Sequence, residues 1–382
     1  MVQRMPQSMC ASVLLLAASA AALELQLPWK TAPKKTKSLG QVDELTYDVP
    51  LAVGTWQAGN KLLYDYSPER DEALLAAWSL ARDRGVRYFD TGDSYGTGDI
   101  EGNAELLLGR FAGGGKEAYV HTKLAVYPWR LRPDDFVRAC EQSLERLGAE
   151  RVALVGQHWS AETYGLGGIQ DPAVYGGLAK CCELGYASGV GLSNLGPRAL
   201  GRGVDAVNGL GARVATHQTQ FSLLCCAPLE DGSFDVADAA GVTTVGYSPL
   251  ALGLLSGRYS ADAARSFGDR GADAALLPKL PRGVRGFLFK TQLPKLAPLL
   301  DALEQVAADR KATVGQVALA WCLSARGPGK PPPLPLVGAR TPAMVRDVLG
   351  ALDVKLDAGD VASLADVARR APQAQKNSFQ TK

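Results

Sequence analysis

The chain has 382 residues, of which 47% are hydrophobic and 21% are charged, so it is able to bury a large core. Its formal net charge of +2 at pH 7 is too close to neutral to suggest a nucleic-acid-binding protein. The length would permit two or three ordinary domains, but a single barrel of strands and helices also reaches this size.

The first 42 residues differ from the rest of the chain in charge. Five basic residues and one acidic residue give this segment a net charge of +4, so the remainder, out of a total of +2, carries −2. Residues 10–23 form an apolar run of 14 residues, shorter than the span of about 20 residues that a bilayer requires. Small residues lie at Ala18-Ser19-Ala20, and a basic, proline-containing stretch follows up to Gly40.

This order, signal-like and then transit-like, predicts that residues 1–42 are a targeting segment for a plastid (chloroplast), with no membrane-spanning segment in the mature chain. A plain secretory signal and a disordered tail are the alternatives. The seven cysteines include two adjacent pairs, Cys181-Cys182 and Cys225-Cys226. Neighbouring cysteines fit neither a disulfide framework nor a metal site, so we predict free thiols, no metal and a reducing compartment.

From residue 49 onward, short β-branched runs alternate with helical patterns. The predicted strands are 49–56, 86–90, 119–123, 152–158, 189–193, 214–218, 242–247 and 334–337. Helices are predicted to begin at Pro68 and Pro133, to cover 106–111, and to extend through Trp321. Strands with a nearly continuous apolar character, alternating with helices, indicate a parallel sheet that is covered on both faces.

Polar residues recur at the ends of these strands. From Tyr95 through Lys123, His158, Ser193 and Gln218 to Tyr247, successive members are 28, 35, 35, 25 and 29 residues apart. A β/α barrel of ~250 residues spends about 31 residues on each strand-and-helix unit, and its strand ends converge on one face. We therefore predict an eight-stranded parallel β/α (TIM) barrel over 43–372, followed by a tail at 373–382.

One interval breaks the rhythm, because 91 residues separate Tyr247 from Gly338. Residues 257–293 within it are rich in Gly, Pro, Arg and Asp. Long structureless segments in compact domains are usually functional or disordered. We predict a long loop that folds over a ligand on the catalytic face.

Asp90, Tyr95, Lys123 and His158 together suit the reduction of a carbonyl group. Tyrosine can donate the proton, and an ammonium nearby would bring its pKa of ~10 toward working pH. Lys123 would supply that ammonium, held charged and oriented by Asp90, and His158 would either hydrogen-bond the carbonyl oxygen or relay the proton. Taken singly, these four residues could instead serve, in the same order, as a helix cap, a turn residue, a solvated surface charge and a hydrogen-bonded core histidine.

The second half of the chain offers partners for a nicotinamide. Ser193, Asn194 and Gln218 provide the donors and acceptors that a carboxamide needs. Tyr247 could stack on the ring, or could simply be a core aromatic. Ser248-Pro249-Leu250 and the glycines beyond could present backbone N–H groups to a pyrophosphate. No GxGxxG motif follows the first strand, so a Rossmann site is not indicated.

Several motifs occur in order at barrel spacing: Gly54-Thr55-Trp56, Phe89-Asp90-Thr91-x-Asp93-Ser94-Tyr95-Gly96, Thr122-Lys123, Gln157-His158-Trp159, Gly191-Leu192-Ser193-Asn194 and Tyr247-Ser248-Pro249-Leu250. Together they resemble the aldo-keto reductase superfamily over about residues 49–370. Further stretches at 60–63, 125–131, 220–224 and 378–381 are similar to its plant-type plastid members, which include the pyridoxal reductases.

The resemblance implies a barrel that binds NADPH across its catalytic face. It implies that Tyr95 is the acid, with Asp90, Lys123 and His158 as its partners. The cofactor contacts that it implies are Gly54, Thr55, Trp56, Ser193, Asn194, Gln218, Tyr247, Ser248, Pro249, Leu250, Arg258, Gly338 and Arg340. Met344 and Val348 depart from the polar residues that many relatives have near the adenine. Basic residues Arg282, Arg285 and Lys290 could compensate, or could form a solvated surface.

The implied activity is NADPH-dependent reduction of an aldehyde, or less readily a ketone, to an alcohol. Pyridoxal is the specific candidate substrate, and a broader clearance of reactive carbonyls is the alternative. Trp56, Trp129 and Trp159 are predicted to line the substrate pocket, unless they only pack in the core. A barrel that binds nicotinamide as a regulatory subunit without turnover is the competing class of function.

Overall fold

A computed structural model of the chain describes residues 47–96, 102–112, 118–270, 280–281 and 283–371. The predicted targeting segment and the tail at 373–382 lie outside these residues, as does Arg282. Across the described ranges, no helix has the length and apolar character needed to cross a bilayer.

Eight parallel strands close into a barrel in which each strand pairs with the next along the chain and the last pairs with the first. They are β1 Ala52–Gly54, β2 Tyr88–Gly92, β3 Tyr119–Leu124, β4 Val152–Gln157, β5 Ala187–Ser193, β6 Val214–Gln220, β7 Thr243–Tyr247 and β8 Leu334–Val337. The prediction of an eight-stranded β/α barrel is confirmed, because buried, β-branched strands need helices on the outside and side chains within.

Helices connect the strands and surround the barrel. The α-helices are Lys61–Tyr64, Asp71–Asp83, Asn103–Ala112, Pro133–Leu147, Gly167–Glu183, Pro197–Gly209, Ala227–Glu230, Ser233–Ala239, Ala261–Arg270, Gly283–Gln292, Ala297–Arg310, Val314–Ser324, Pro342–Gly350 and Ala358–Arg370. Short 3₁₀ helices occupy Pro68–Arg70, Ala161–Tyr164, Ala251–Gly253, Leu293–Leu296 and Ala351–Asp353.

The segment 257–293 differs from its prediction. Two of the helices, Ala261–Arg270 and Gly283–Gln292, fall inside it, so the expectation of a structureless loop is wrong for these residues. Tyr259, Phe289 and Leu293 are buried in one apolar cluster with the helix Ala297–Arg310. This burial stabilises the two helices. They were not predicted because the segment is rich in Gly, Pro and Arg, which masks a helical pattern.

Strand register creates space for polar side chains inside the barrel. Lys123 on β3 lies beside Gly92 on β2 and Gly156 on β4. A Cβ at Gly156 would meet the His121 ring, and a Cβ at Gly92 would meet the Tyr95 ring, so glycine at both positions leaves room for these side chains. The six described cysteines are all free, and all but Cys182 are buried, as the sequence predicted.

Candidate active site

Asp90, Lys123 and Gln218 come from different strands and meet near the carboxyl ends of β2, β3 and β6. Asp90 is 1% exposed and Lys123 is fully buried. Lys123 Nζ donates hydrogen bonds to Asp90 Oδ1 and, at 2.7 Å, to the carbonyl oxygen of Thr91. Gln218 Nε2 donates to the same Asp90 oxygen at 2.8 Å, so one of its amide hydrogens is already used.

Tyr95 lies against this buried pair. Its hydroxyl is 3.4 Å from Asp90 Oδ2, and Lys123 Nζ lies 4.8 Å from the centroid of its ring. Burial, and after it the charge of Asp90, raises the pKa of Tyr95 well above its ordinary value of 10.0. The predicted lowering of this pKa by Lys123 is therefore wrong, because Asp90 neutralises the ammonium and faces the hydroxyl itself.

Burial lowers the pKa of Lys123 from its ordinary value of 10.5, and the carboxylate of Asp90 opposes that shift. Burial also lowers the pKa of His158 well below 6.5, with Lys123 as the second cause. Ser94 Oγ is 2.9 Å from His158 Nδ1, and the imidazole ring meets the Tyr95 ring edge-on at 5.2 Å. His158 is thus a neutral imidazole that leaves Nε2 for a further hydrogen bond.

A second histidine lies beneath this set and was missed from the sequence. His121 is fully buried, its Nδ1 is 2.7 Å from the Tyr88 hydroxyl and 3.8 Å from Asp90 Oδ1. The neighbouring positions Gly156 and Gly191 leave room for its ring. Its position two residues before Lys123, on the same face of β3, was the available signal.

The residues predicted to contact the nicotinamide lie toward the carboxyl ends of β5, β6 and β7: Ser193, Asn194 and Gln218 for the carboxamide and Tyr247 for the ring. Asn194 Oδ1 accepts a hydrogen bond of 2.8 Å from the Tyr247 hydroxyl, and Asn194 Nδ2 donates to the carbonyl oxygen of His158 at 3.0 Å. Gln157 Nε2 donates to the carbonyl oxygen of Ser193. The buried hydroxyl of Ser193 has no hydrogen-bond partner among the described residues. A ligand could satisfy this group without displacing a protein contact.

The chain after β7 turns sharply. Ser248, Ala251 and Leu252 have φ values of 53°, 47° and 58°, in the left-handed region that non-glycine residues seldom adopt. Arg285, from the helix Gly283–Gln292, donates a hydrogen bond to the carbonyl oxygen of Leu252. Strain of this kind is found where a loop supports a binding site.

Arginines converge around Tyr64, at the end of the short helix that follows β1. Arg285 and Arg340 lie over its ring at 5.1 and 5.9 Å from the centroid. Burial lowers the pKa of both guanidinium groups, and Arg258 contributes to each shift as a like charge. Neither of the two forms an ion pair with a described carboxylate. Like charges that are held together without counter-charges favour an anionic ligand.

The other predicted residues are distributed around the same face. Gly54, Thr55 and Trp56 are at the end of β1, and Thr55 N donates to the carbonyl oxygen of Asp90. Pro249 and Leu250 belong to the turn after β7, and Gly338 follows β8. Val348 is buried, whereas Met344 is 40% exposed. Lys290 is exposed.

The three predicted pocket tryptophans have different environments. Trp56 meets the Tyr64 ring edge-on at 5.4 Å. Trp159 is partly buried, with its ring 4.8 Å from that of His158. Trp129 is 54% exposed and stacks on Tyr127 at 4.6 Å. Trp159 is thus the one of the three for which the described residues show a ring contact with His158.

Comparison with known proteins agrees with this architecture. A model of the Aldo/keto reductase family matches residues 50–369. The chain belongs to this family. It is 37% identical to the chloroplastic pyridoxal reductase of Arabidopsis thaliana, over 87% of each protein. It is 29% identical to the aldo-keto reductase yakc [NADP(+)] of Schizosaccharomyces pombe, over 79% of this chain and 84% of that protein.

A solved structure of an aldo-keto reductase from Klebsiella pneumoniae in complex with NADPH covers 87% of this chain. It matches with a TM-score of 0.61 at 22% identity, over 95% of the Klebsiella chain. The two proteins therefore share the β/α-barrel fold. The match to the family model confirms the resemblance that the sequence motifs indicated.

Proposed function

We propose that this aldo/keto reductase reduces an aldehyde to an alcohol with NADPH and uses Tyr95 as the proton donor. The observation that carries the proposal is the buried cluster of Asp90, Lys123 and Tyr95, with His158 against the phenol ring. Carbonyl reduction requires a proton for the oxygen, and a positioned side chain typically contributes 10²–10⁴-fold to such a transfer.

The raised pKa of Tyr95 keeps its hydroxyl protonated at neutral pH, which is the form that a proton donor needs. Once the proton has left, the phenolate is stabilised by the Lys123 ammonium near its ring. Neutral His158 can donate one N–H to the carbonyl oxygen and thereby orient it toward the Tyr95 hydroxyl. Asp90 keeps Lys123 charged despite its complete burial.

The cofactor face of the barrel supports NADPH as the reductant. Arg285 and Arg340 would bind its phosphates, because they are partly buried cations without described carboxylate partners. Ser193, Asn194 and Tyr247 would hold the nicotinamide end. When bound, NADPH supplies the hydride. The Klebsiella pneumoniae structure with NADPH and the yakc protein named for NADP(+) favour the same choice.

Pyridoxal is the specific substrate that we propose. The chain is 37% identical to a protein named pyridoxal reductase, and aromatic side chains extend from His158 through Trp159 to Tyr127. Such a wall suits a planar pyridine ring. Clearance of several reactive aldehydes is the broader alternative. The chloroplastic location named for the Arabidopsis relative and the basic first 42 residues support a plastid destination.

The test compares the natural chain with Tyr95→Phe in NADPH oxidation with an aromatic aldehyde. We expect the substitution to remove turnover and to leave the quenching of NADPH fluorescence on binding nearly unchanged. Equal rates in both proteins would exclude Tyr95 as the acid. Binding without turnover in the natural chain would favour the nicotinamide-binding regulatory barrel. A kcat/KM for pyridoxal no higher than that for propanal would reject the vitamin-specific assignment.

A further inference from the structure

Loop 125–131 follows β3 and carries Tyr127 and Trp129. The Tyr127 ring stacks on Trp129 at 4.6 Å with an interplanar angle of 11°, and its edge meets Trp159 at 5.9 Å. The centroid of the Trp159 ring lies 4.8 Å from that of the His158 ring. The three aromatic rings therefore form one continuous surface from the proposed reaction centre to solvent. We call Tyr127, Trp129 and Trp159 the aromatic wall.

Arg130 ties this loop to the end of β2. Its Nη1 donates to Asp93 Oδ2 at 2.8 Å and to the carbonyl oxygen of Ala125 at 2.7 Å. Asp93, 9% exposed, also accepts a hydrogen bond from Ala125 N at 2.9 Å. The Arg130 guanidinium lies 5.1 Å from the centroid of the Tyr127 ring. Arg130 therefore pairs with Asp93 within the protein and holds the Tyr127 ring in place.

Gln170 holds the loop from the other side. This fully buried residue of the helix Gly167–Glu183 donates from Nε2 to the carbonyl oxygens of Tyr127, at 2.7 Å, and Arg130, at 3.0 Å. Trp159 Nε1 donates to the carbonyl oxygen of Val126 at 3.1 Å. Three separate elements thus fix the backbone of a short loop by direct hydrogen bonds, which pre-organises the surface that it carries.

We propose that Arg130 and Gln170 are positioning residues that hold the aromatic wall and so select planar aromatic aldehydes over small aliphatic ones. This inference rests on the proposed carbonyl reduction. An aromatic substrate gains from stacking on a ring that is already fixed, whereas a small aliphatic aldehyde makes little use of that surface. Neither residue touches the reacting atoms, so both act through Tyr127 and Trp159.

The test measures kcat and KM for benzaldehyde and for propanal in the natural chain, Gln170→Met and Arg130→Met. Methionine keeps much of the side-chain volume and removes the hydrogen-bond donors. We expect KM for benzaldehyde to rise about three- to tenfold, with kcat and the propanal constants nearly unchanged. Arg138→Met is the matched control, because Arg138 is an exposed arginine in a local ion pair with Asp135. It should leave all four constants unchanged.

Tyr127→Leu is a second variant in case removal of the buried hydrogen bonds prevents folding, and it should also raise KM for benzaldehyde selectively. Equal changes for the two aldehydes, or no change for either, would overturn the positioning role while leaving carbonyl reduction intact. Turnover of neither aldehyde by the natural chain would overturn the proposed function and this inference together.

Discussion

Lys123 Nζ lies 4.8 Å from the centroid of the Tyr95 ring, while the Tyr95 hydroxyl faces Asp90 Oδ2 at 3.4 Å. The ammonium therefore approaches the ring face, and its hydrogen bonds go to Asp90 and to the backbone. In this arrangement Lys123 and Asp90 together are close to neutral, and the phenol stays protonated. The geometry supports proton donation by Tyr95 more directly than activation of Tyr95 as a phenolate.

The alkaline limb of the pH–rate profile should report Lys123. Burial lowers the pKa of Lys123 from its ordinary value of 10.5 and raises that of Tyr95 well above 10.0, so we assign the alkaline limb to Lys123. We expect kcat/KM for aldehyde reduction to fall with rising pH through an apparent pKa below 10.5. Lys123→Met should reduce kcat about 10²–10⁴-fold and remove that limb. An unchanged limb in this variant would assign the titration to another group.

Stability should decrease as pH falls, in part because of His217 on β6. Complete burial lowers its pKa to about 4 from an unfolded value near 6.5. Between these values the unfolded chain binds more protons, so the free energy of unfolding falls as pH decreases from about 6.5 to about 4. The contribution of His217 between pH 7 and pH 5 should be about 2 kcal/mol.

Urea unfolding of the natural chain and His217→Gln at the two pH values measures this contribution. The glutamine variant should lose about 2 kcal/mol less between pH 7 and pH 5. His121 and His158 also have lowered pKa values, so both proteins should still lose stability toward acid. An identical pH dependence in the two proteins would show that His217 does not titrate differently on folding.

Gly156 on β4 should tolerate no side chain. A Cβ there would lie 2.4 Å from His121 Nε2 and 2.6 Å from the carbonyl oxygen of Gly191. Gly156→Ala should therefore destabilise the barrel by about 1–3 kcal/mol, measured by urea unfolding. Gly201→Ala is the control, because a Cβ at that helical position meets nothing within 4 Å. It should stabilise the protein by about 0.5–1 kcal/mol, and equal effects of both changes would contradict the contact with His121.

Strand positions were predictable because each strand is a compact apolar run between polar turns. The predicted helix at Pro133 agrees with the observed helix Pro133–Leu147, because proline at its first position and Gly148 after its end are strong local signals. The helix Gly283–Gln292 was not predicted. Its stability comes from the burial of Phe289 against Tyr259, a contact that connects residues 30 apart in sequence.

In the proposed site, too, some features were predictable from the sequence and others were not. Spacing along the chain predicted that Asp90, Tyr95, Lys123 and His158 would lie at neighbouring strand ends, and the structure brings them together. The contacts of Arg130 and Gln170 could not be predicted, because Arg130 pairs with Asp93, 37 residues away in sequence, and Gln170 binds carbonyl oxygens 40 and 43 residues away.

By itself, the sequence determined the barrel, its eight strand positions and the residue types at the strand ends. This was possible because hydrophobic periodicity and the signals that start and end an element depend only on residues close in sequence. Only the tertiary structure decided which groups face one another and with what charge. The direction in which the Tyr95 pKa shifts depends on the burial of its hydroxyl and on the Asp90 carboxylate that this hydroxyl faces. Both are established only when the strands close into a barrel.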